Sequence, residues 1–288
     1  MAAGYPNAEL LAETGWLADH IDDPSVRVID CDEFPSYQRL HINGAIGLRT
    51  HHYLKERGDS ASGTGVGVNV MNADAFAKVM SRHGISNDTL VIAYDNNGGL
   101  YAARLWWTLA YFGHSDCKVV NGGFRKWYDE GRAVSMDQPH VDPGNFAVTQ
   151  VRDDMCAVLE DVKGAIEDVD SVIWDVRDAG EHTGDDPRTN KRGGHIPGAK
   201  HLEWLDLTVS PPVRSGVFLP ADEMRSKLEA IGVTPDKKVV THCQAGIRAA
   251  NAYFVLKLLD YPRIANYDAS WNEWGNRDDT PIVTGTGG

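Results

Sequence analysis

Short apolar runs alternate along the chain with longer runs of helical character. In the first half, VIAYD (91–95) precedes LYAARLWWTLAYF (100–112), and in the second half, Val239 and Val240 precede AANAYFVLKLL (249–259). Strands that alternate with helices are typical of an α/β fold. The pattern therefore predicts a mostly parallel sheet flanked by helices in each half of the chain.

The two halves are also related by an internal repeat. VRVIDCDEFPSYQRLHINGAI (26–46) and SVIWDVRDAGEHTGDDPRTNKRGGHIPGA (171–199) each place an apolar strand before an aspartate and close on His-Ile-x-Gly-Ala. The segment 88–113 matches 236–261 at a constant offset of 148. NGGFRKW matches DASWNEW, which begins at Asp268, at an offset of 147. Blocks that occur in one order at nearly one offset predict two homologous domains.

The domain boundaries follow from the repeat and from a change in composition. The segment 136–149 carries two prolines and has no apolar periodicity, which is typical of a linker. We therefore predict a first domain at residues 1–139, a linker at 140–154 and a second domain at 155–288.

Charge and composition restrict the partners that we expect. The chain has 28 basic and 41 acidic residues, a formal charge of −13, which argues against nucleic acid or an anionic membrane as a partner. It contains no apolar run of the roughly 20 residues that a membrane span needs, and its N-terminus lacks the features of a signal peptide. We therefore expect a cytoplasmic protein. The four cysteines lack CxxC spacing, so we expect reduced thiols and no metal site.

The candidate chemistry lies in HCQAGIR (242–248), between a predicted strand and a predicted helix. A cysteine in this place lies near unpaired backbone N–H groups and the positive end of the helix dipole, which favour the thiolate. Gly246 allows the loop to curl, and Arg248 adds a permanent positive charge. The loop is therefore predicted to hold an anionic sulfur. The side chain of His242 should point to the opposite face of the strand, away from the role of a base.

The matching loop of the first half supports this interpretation. It keeps a glycine, Gly98, but it has Asp95 in place of Cys243 and Leu100 in place of Arg248. Both chemically relevant positions differ together, which favours one working site and one non-catalytic copy. On spacing alone, a buried structural cysteine is the alternative.

The chain resembles the two-domain rhodanese family of sulfurtransferases over nearly its whole length. The resemblance rests on the aspartate-ended strands, on GHIPGA (194–199) with its partial match HINGA (41–45), on the cysteine loop and on YDASWNEW (267–274). It implies two tandem rhodanese-like domains, the first non-catalytic. It also implies a ping-pong cycle, in which Cys243 takes a sulfane sulfur from a donor as a persulfide and passes it to a thiophilic acceptor, without a bound cofactor.

The resemblance implies a catalytic role for Cys243 and substrate binding by the rest of its loop. The expected substrate-binding residues of the loop are Gln244, Ala245, Gly246, Ile247 and Arg248. Arg177 and Arg188 are further candidates in the second domain. For Arg177 the alternative is an ion pair with the nearby Asp175, and for Arg188 it is a solvated basic loop.

Two sulfur donors remain possible, thiosulfate and 3-mercaptopyruvate. Mercaptopyruvate enzymes of the family usually have a hydroxyl at the third loop position, which is Ala245 here, and an arginine where this chain has Glu181. The animal thiosulfate enzymes have a lysine where Ala245 stands. Because Arg248 suits a doubly charged donor, we expect thiosulfate. The expected acceptor is cyanide or a thiol such as thioredoxin or glutathione.

Two other classes of function remain as alternatives. Protein tyrosine phosphatases of the dual-specificity, cell-cycle type share the fold implied by the resemblance, and they carry a Cys-x5-Arg loop. The interval between Cys243 and Arg248 is four residues, so this loop suits a single sulfur better than a phosphate. A binding module without turnover is the other alternative, and the retained cysteine argues against it.

Overall fold

The first half of the chain folds around a five-stranded parallel sheet. The computed structural model describes residues 4–57, 66–209 and 216–286. The strands of this half are β1 (Leu11–Ala12), β2 (Val26–Asp30), β3 (His41–Ile42), β4 (Ile46–Gly47), β5 (Lys55–Arg57), β6 (Val66–Val70), β7 (Leu90–Tyr94), β8 (Cys117–Val120) and β9 (Val134–Ser135). The helices are α1 (Thr14–His20), α2 (Phe34–Arg39), α3 (Thr50–Tyr53), α4 (Ala73–Arg82), α5 (Leu100–Tyr111) and α6 (Gly123–Asp129). The main sheet has the order β1-β8-β7-β2-β4, while β3 pairs with β9 and β5 with β6 in antiparallel fashion.

The second half repeats this arrangement. Its strands are β10 (Cys156–Ala157), β11 (Ser171–Asp175), β12 (Lys200–His201), β13 (Lys238–His242) and β14 (Ile264–Tyr267). Its helices are α7 (Leu159–Glu167), α8 (Ala179–Thr183), α9 (Ala221–Ala230), α10 (Ile247–Leu258) and α11 (Ser270–Trp274). The parallel sheet has the order β10-β14-β13-β11-β12. Each strand has its counterpart in the first sheet, so the predicted tandem α/β fold is confirmed.

The segment between the two sheets packs against the first domain. Residues 136–152 contain no helix or strand. The N–H of Gly144 donates to the carbonyl of Ser81 at 2.7 Å, and the ring of Phe146 packs edge-on against Phe76 with centroids 5.6 Å apart. The connecting segment is therefore packed against the first domain.

Helices α5 and α10 form the contact between the two domains. Trp106 of α5 meets Phe254 of α10 edge-on, with ring centroids 5.0 Å apart. One hydrophobic core runs continuously through this contact from one domain to the other. Asn251 of α10 donates to the carbonyl of Gly99 at 3.1 Å. The loops that precede α5 and α10 therefore both lie at the domain interface. Within the ranges given above, no helix is long and apolar enough to cross a membrane.

Candidate active site

Cys243 lies in the tight loop that joins β13 to α10. Its carbonyl accepts the N–H of Trp271 at 3.0 Å, and Gly246 caps α10 with a φ of 72°. A Cβ at this glycine would lie 2.3 Å from Oδ1 of Asp268, so both the conformation and the space require glycine. The side chain of Cys243 is 1% exposed. A donor therefore reaches the sulfur only after neighbouring groups move.

Ser270 fixes the backbone of this loop. Its Oγ accepts the N–H of Cys243 at 3.0 Å and the N–H of Gly246 at 3.2 Å, and it donates to the carbonyl of Tyr267 at 2.6 Å. The residue has a φ of 53°, a conformation that non-glycine residues rarely adopt. Two of the amides expected to surround the sulfur are thus used by a hydroxyl instead.

The remaining amides of the loop and of the first helical turn are available to an anion. The following residues have N–H groups that enter no hydrogen bond within the described part of the chain: Gln244, Ala245, Ile247, Arg248 and Ala249. The N–H groups of a first helical turn have no intrahelical acceptor and carry the positive end of the helix dipole. This part of the loop therefore has the chemistry of an anion site.

The equivalent loop of the first domain already holds an anion. The carboxylate of Asp95 accepts the N–H groups of Asn97 at 2.8 Å and Gly99 at 2.9 Å on one oxygen. Its other oxygen accepts those of Tyr101 at 2.7 Å and Ala102 at 2.8 Å. Four amides from a strand–loop–helix junction thus converge on a single carboxyl group, and they act to lower a pKa that burial raises.

Two details distinguish the loops. Gly99, the N-cap of α5, is the fourth residue after Asp95, whereas Gly246 is only the third residue after Cys243. The first loop is therefore one residue longer, which explains why the repeat offset changes from 148 to 147 along the chain. The structure thus pairs Gly246 with Gly99 and Arg248 with Tyr101, which corrects the pairing with Gly98 and Leu100 expected from a constant offset. Gly123, with a φ of 52°, takes the place of the serine at position 270, so no hydroxyl competes for the amides in the first domain.

Arg248 projects from the first turn of α10 onto a buried carboxylate. Its guanidinium forms two hydrogen bonds with Glu181, at 2.6 and 2.9 Å. Burial acts to lower the pKa of Arg248, but the bonds to Glu181 and the charge of an ionised Cys243 raise it above its ordinary value. Arg188, whose side chain is 49% exposed, also contacts Glu181 at 3.3 Å. Arg188 and Arg248 are thus brought together by one shared carboxylate.

The guanidinium of Arg177 is buried and binds other groups of the protein. It forms an ion pair with Asp175 at 2.6 Å and donates to the carbonyl of Gly194 at 2.7 Å. Its guanidinium also stacks over the ring of Trp271 at 4.3 Å. Burial acts to raise the pKa of Asp175, but the charge of Arg177 holds it well below its usual range. With its side chain 1% exposed, Arg177 lies as an anchor behind the loop rather than at its open side.

Gln244 and Asn190 join the cysteine loop to the long loop after α8. Nε2 of Gln244 donates to Oδ1 of Asn190 at 3.0 Å and to Oδ1 of Asn272 at 2.6 Å. Ala245 is half-buried, and Ile247 is buried in the protein. The side chains predicted to line the site therefore meet at one place, although Gln244 and Ile247 contribute packing and hydrogen bonds within the protein.

His242 lies on the other side of β13, as the strand alternation predicts. Its Nε2 is 3.8 Å from Oδ2 of Asp175. Burial lowers the pKa of His242 to about 4. It is therefore neutral at pH 7 and is not oriented as a base for Cys243.

Several residues at the site were not identified from the sequence. Glu181 was noted only as a departure from mercaptopyruvate enzymes, and Ser270 and Asp268 only as parts of a repeated block. The first domain also contributes Arg104, whose Nη1 donates to the carbonyl of Gly246 at 3.2 Å. The pairing of a glycine with the serine at position 270 in the repeat was the one available signal. In the ranges that the structure describes, no group of His, Cys, Asp or Glu side chains is arranged to hold a metal ion.

Comparison with known proteins identifies the two halves and their relatives. The model of the rhodanese-like domain matches residues 13–130 and 158–277. The sulfur carrier protein TtuD of Thermus thermophilus is 37% identical, over 98% of this chain and 99% of its own length. The thiosulfate sulfurtransferase of Corynebacterium glutamicum is 33% identical, over 98% and 92%. Among solved structures, the anaerobic ergothioneine biosynthesis enzyme from Chlorobium limicola has a TM-score of 0.84 at 23% identity. That likeness covers 98% of this chain and 72% of the enzyme, and it shows the fold alone.

Proposed function

Because the chain belongs to the rhodanese family of sulfurtransferases, we propose that it transfers sulfane sulfur from thiosulfate through a persulfide on Cys243. In the first half-reaction, the Cys243 thiolate attacks the outer sulfur of thiosulfate. The S–S bond of the donor breaks, and sulfite leaves with the electron pair. In the second half-reaction, cyanide or a thiolate attacks the terminal sulfur, and the Cys243 thiolate leaves.

The single observation that carries this proposal is the contrast between the two loops. In the first domain, four amides donate to the Asp95 carboxylate. In the second domain, a cysteine takes the place of that aspartate, and the amides of the first helical turn have no acceptor within the described part of the chain. A persulfide on Cys243 extends the side chain by one anionic sulfur, which is the group that such amides stabilise.

The charges around the loop favour thiosulfate over 3-mercaptopyruvate as the donor. Arg248 pairs with Glu181, whereas Arg188 contacts three carboxylates, those of Glu181, Asp178 and Asp186. Arg248 interacts electrostatically with an ionised Cys243, and its charge, together with the unpaired amides of the loop, attracts a dianion more strongly than a monoanion. The name of the relative from Corynebacterium glutamicum supports the same donor.

The intermediate can be tested by mass spectrometry of the chain after incubation with thiosulfate alone. We expect the peptide that contains Cys243 to gain the mass of one sulfur atom and to lose it when cyanide is added. Cys156 is an internal control, because it is more exposed than Cys243. A gain at Cys156 in place of Cys243, or no gain at all, would contradict the proposed mechanism.

The donor can be tested by steady-state kinetics with cyanide as the common acceptor. We expect kcat/KM to be higher with thiosulfate than with 3-mercaptopyruvate. The reverse order would make the chain a mercaptopyruvate sulfurtransferase that uses the same persulfide.

A carrier role is a second candidate for the acceptor half-reaction. The relative from Thermus thermophilus, at 37% identity, is named a sulfur carrier protein. In that case the persulfide would pass its sulfur to a protein thiol. Transfer from the loaded chain to reduced thioredoxin at a higher kcat/KM than to cyanide would favour this role.

A further inference from the structure

Two buried cations of the first domain, Lys55 and Arg104, lie at the base of the cysteine loop. Asp268, which follows β14, accepts a hydrogen bond from Arg104 of α5 at 2.5 Å. Nζ of Lys55, at the start of β5, lies 3.3 Å from both Oδ1 and the carbonyl of the same aspartate. All three side chains are only 1% exposed. This interdomain cluster, Lys55, Arg104 and Asp268, joins both domains at one point.

The cluster is in direct contact with the loop that carries the sulfur. Nη1 of Arg104 donates to the carbonyl of Gly246 at 3.2 Å. The Cα of Gly246 faces Asp268 so closely that a Cβ would lie 2.3 Å from its Oδ1. Charges interact strongly in such a dry environment, because little water screens them. A charge on the cluster therefore acts on the loop.

Lys55 also interacts electrostatically with Cys243. Burial lowers the pKa of Lys55 to about 8, while Asp268 and the charge of an ionised Cys243 act to raise it. An attraction between two charges is mutual, so the ammonium that is stabilised by the thiolate stabilises the thiolate in turn. Within the described part of the chain, the groups around Lys55 include Arg104, Asp268, Cys243, Cys156 and, along the adjoining cavity, Glu56, Lys78 and Arg82.

We propose that Lys55 is a positioning residue of the active site, through which the non-catalytic domain supplies part of the positive charge that keeps Cys243 and its persulfide ionised. The inference deepens the proposed function and rests on it. It assigns the first domain a part in the chemistry, although that domain carries no nucleophile of its own. The ammonium acts from behind the loop, through Asp268 and the field across Gly246, and does not contact the donor.

The test is the pH dependence of Cys243 alkylation by iodoacetamide, followed by peptide mass spectrometry. The variants are Lys55→Met, which removes the charge, and Lys55→Arg, which keeps it. Lys78→Met is the matched control, because Lys78 lines the same cavity as Lys55 but is exposed on α4. Lys55→Gln, which retains a hydrogen-bond donor toward Asp268, takes the place of the methionine variant where that variant does not fold.

We expect Lys55→Met to move the midpoint of alkylation upward by about one pH unit, a roughly tenfold slower reaction below the midpoint. Lys55→Arg and Lys78→Met should keep the midpoint of the unmodified chain. The proposal is overturned if Lys55→Met keeps that midpoint, or if Lys55→Arg shifts it as far as methionine does. Alkylation needs no sulfur donor, so its outcome is separate from that of the persulfide experiment.

Discussion

The loop that precedes α5 and the loop that precedes α10 differ in the anion that they are suited to hold. The first loop binds its own carboxylate, Asp95, through four amides. The second loop has Cys243 in that place and leaves the amides of its first helical turn without an acceptor in the described ranges. The comparison teaches that the anion site belongs to the strand–loop–helix junction, whereas the proposed sulfur chemistry also requires a thiol at that junction.

The charges behind the two loops are reversed as well. In the second domain, Asp175 is paired with Arg177, which lies two residues later. In the first domain, Asp30 is followed at the same spacing by Asp32. Burial, with Asp95 and Asp30 nearby, raises the pKa of Asp32 to about 8. The first domain thus buries several carboxyl groups together where the second domain buries an ion pair.

Removal of the proposed nucleophile should give the largest functional difference between the two loops. Cys243→Ser should lower sulfur transfer about a thousandfold or more, because the reaction has no other route to a persulfide. The matched change in the other loop, Asp95→Asn, should leave the rate within about twofold, since the proposed mechanism gives that loop no part in catalysis. Steady-state assays with thiosulfate and cyanide measure both. Equal losses in the two variants would show that the loops are not functionally distinct.

Ser270 provides a sharper test of the loop geometry. Ser270→Ala leaves the buried N–H groups of Cys243 and Gly246 without an acceptor, so we expect a loss of about 1–3 kcal/mol in stability. Ser270→Gly loses the same hydroxyl but relaxes the positive φ, as at Gly123 in the first loop, and should lose less. Thermal melting compares the two variants. A glycine variant that is less stable than the alanine variant would contradict this account of the loop.

The charge argument for the donor is tested at Arg248. Arg248→Ala should lower kcat/KM for thiosulfate about tenfold, and it should lower kcat/KM for 3-mercaptopyruvate less, because the dianion loses more attraction. Arg248→Lys, which keeps the charge but not the two-point contact with Glu181, is the control. Equal losses for both donors in the alanine variant would remove charge as the basis of donor choice.

The smallest expected effect concerns the pH dependence of stability in the first domain. A raised carboxyl pKa contributes stability that is complete below the unfolded pKa of about 4 and is lost as the pH rises through the folded value. For Asp32, whose pKa is about 8, the loss falls mainly between pH 4 and pH 8. Asp32→Asn stays neutral, so its melting temperature relative to the unmodified chain should rise between pH 5 and pH 8 and level off at higher pH.

The exposed Asp74 of α4 supplies the control for this measurement. Asp74→Asn should show no such trend with pH. A melting temperature of Asp32→Asn that falls relative to the unmodified chain over the same interval would mean that the carboxyl is stabilised when ionised.

The sequence alone was sufficient to predict the features that are local or that are repeated along the chain. Alternating apolar runs and the repeat predicted the two parallel sheets, and the position of Cys243 between a strand and a helix predicted the anion loop. The partners of the arginines could not be predicted in this way. Glu181 and Arg248 are far apart in sequence and meet because α8 and α10 follow the carboxyl ends of the paired strands β11 and β13. Lys55 reaches the site from another domain, for which local sequence gives no signal.

The continuous core between α5 and α10 has a consequence for each domain taken alone. Trp106 and Phe254 are buried against each other across the domain contact. The second domain alone would therefore expose an aromatic, aggregation-prone surface to water. The contact lies on α5 and α10 and not on the loops before them, so a change in the first loop leaves it intact, whereas deletion of the first domain would uncover it. Each copy therefore depends on the other for a closed interior.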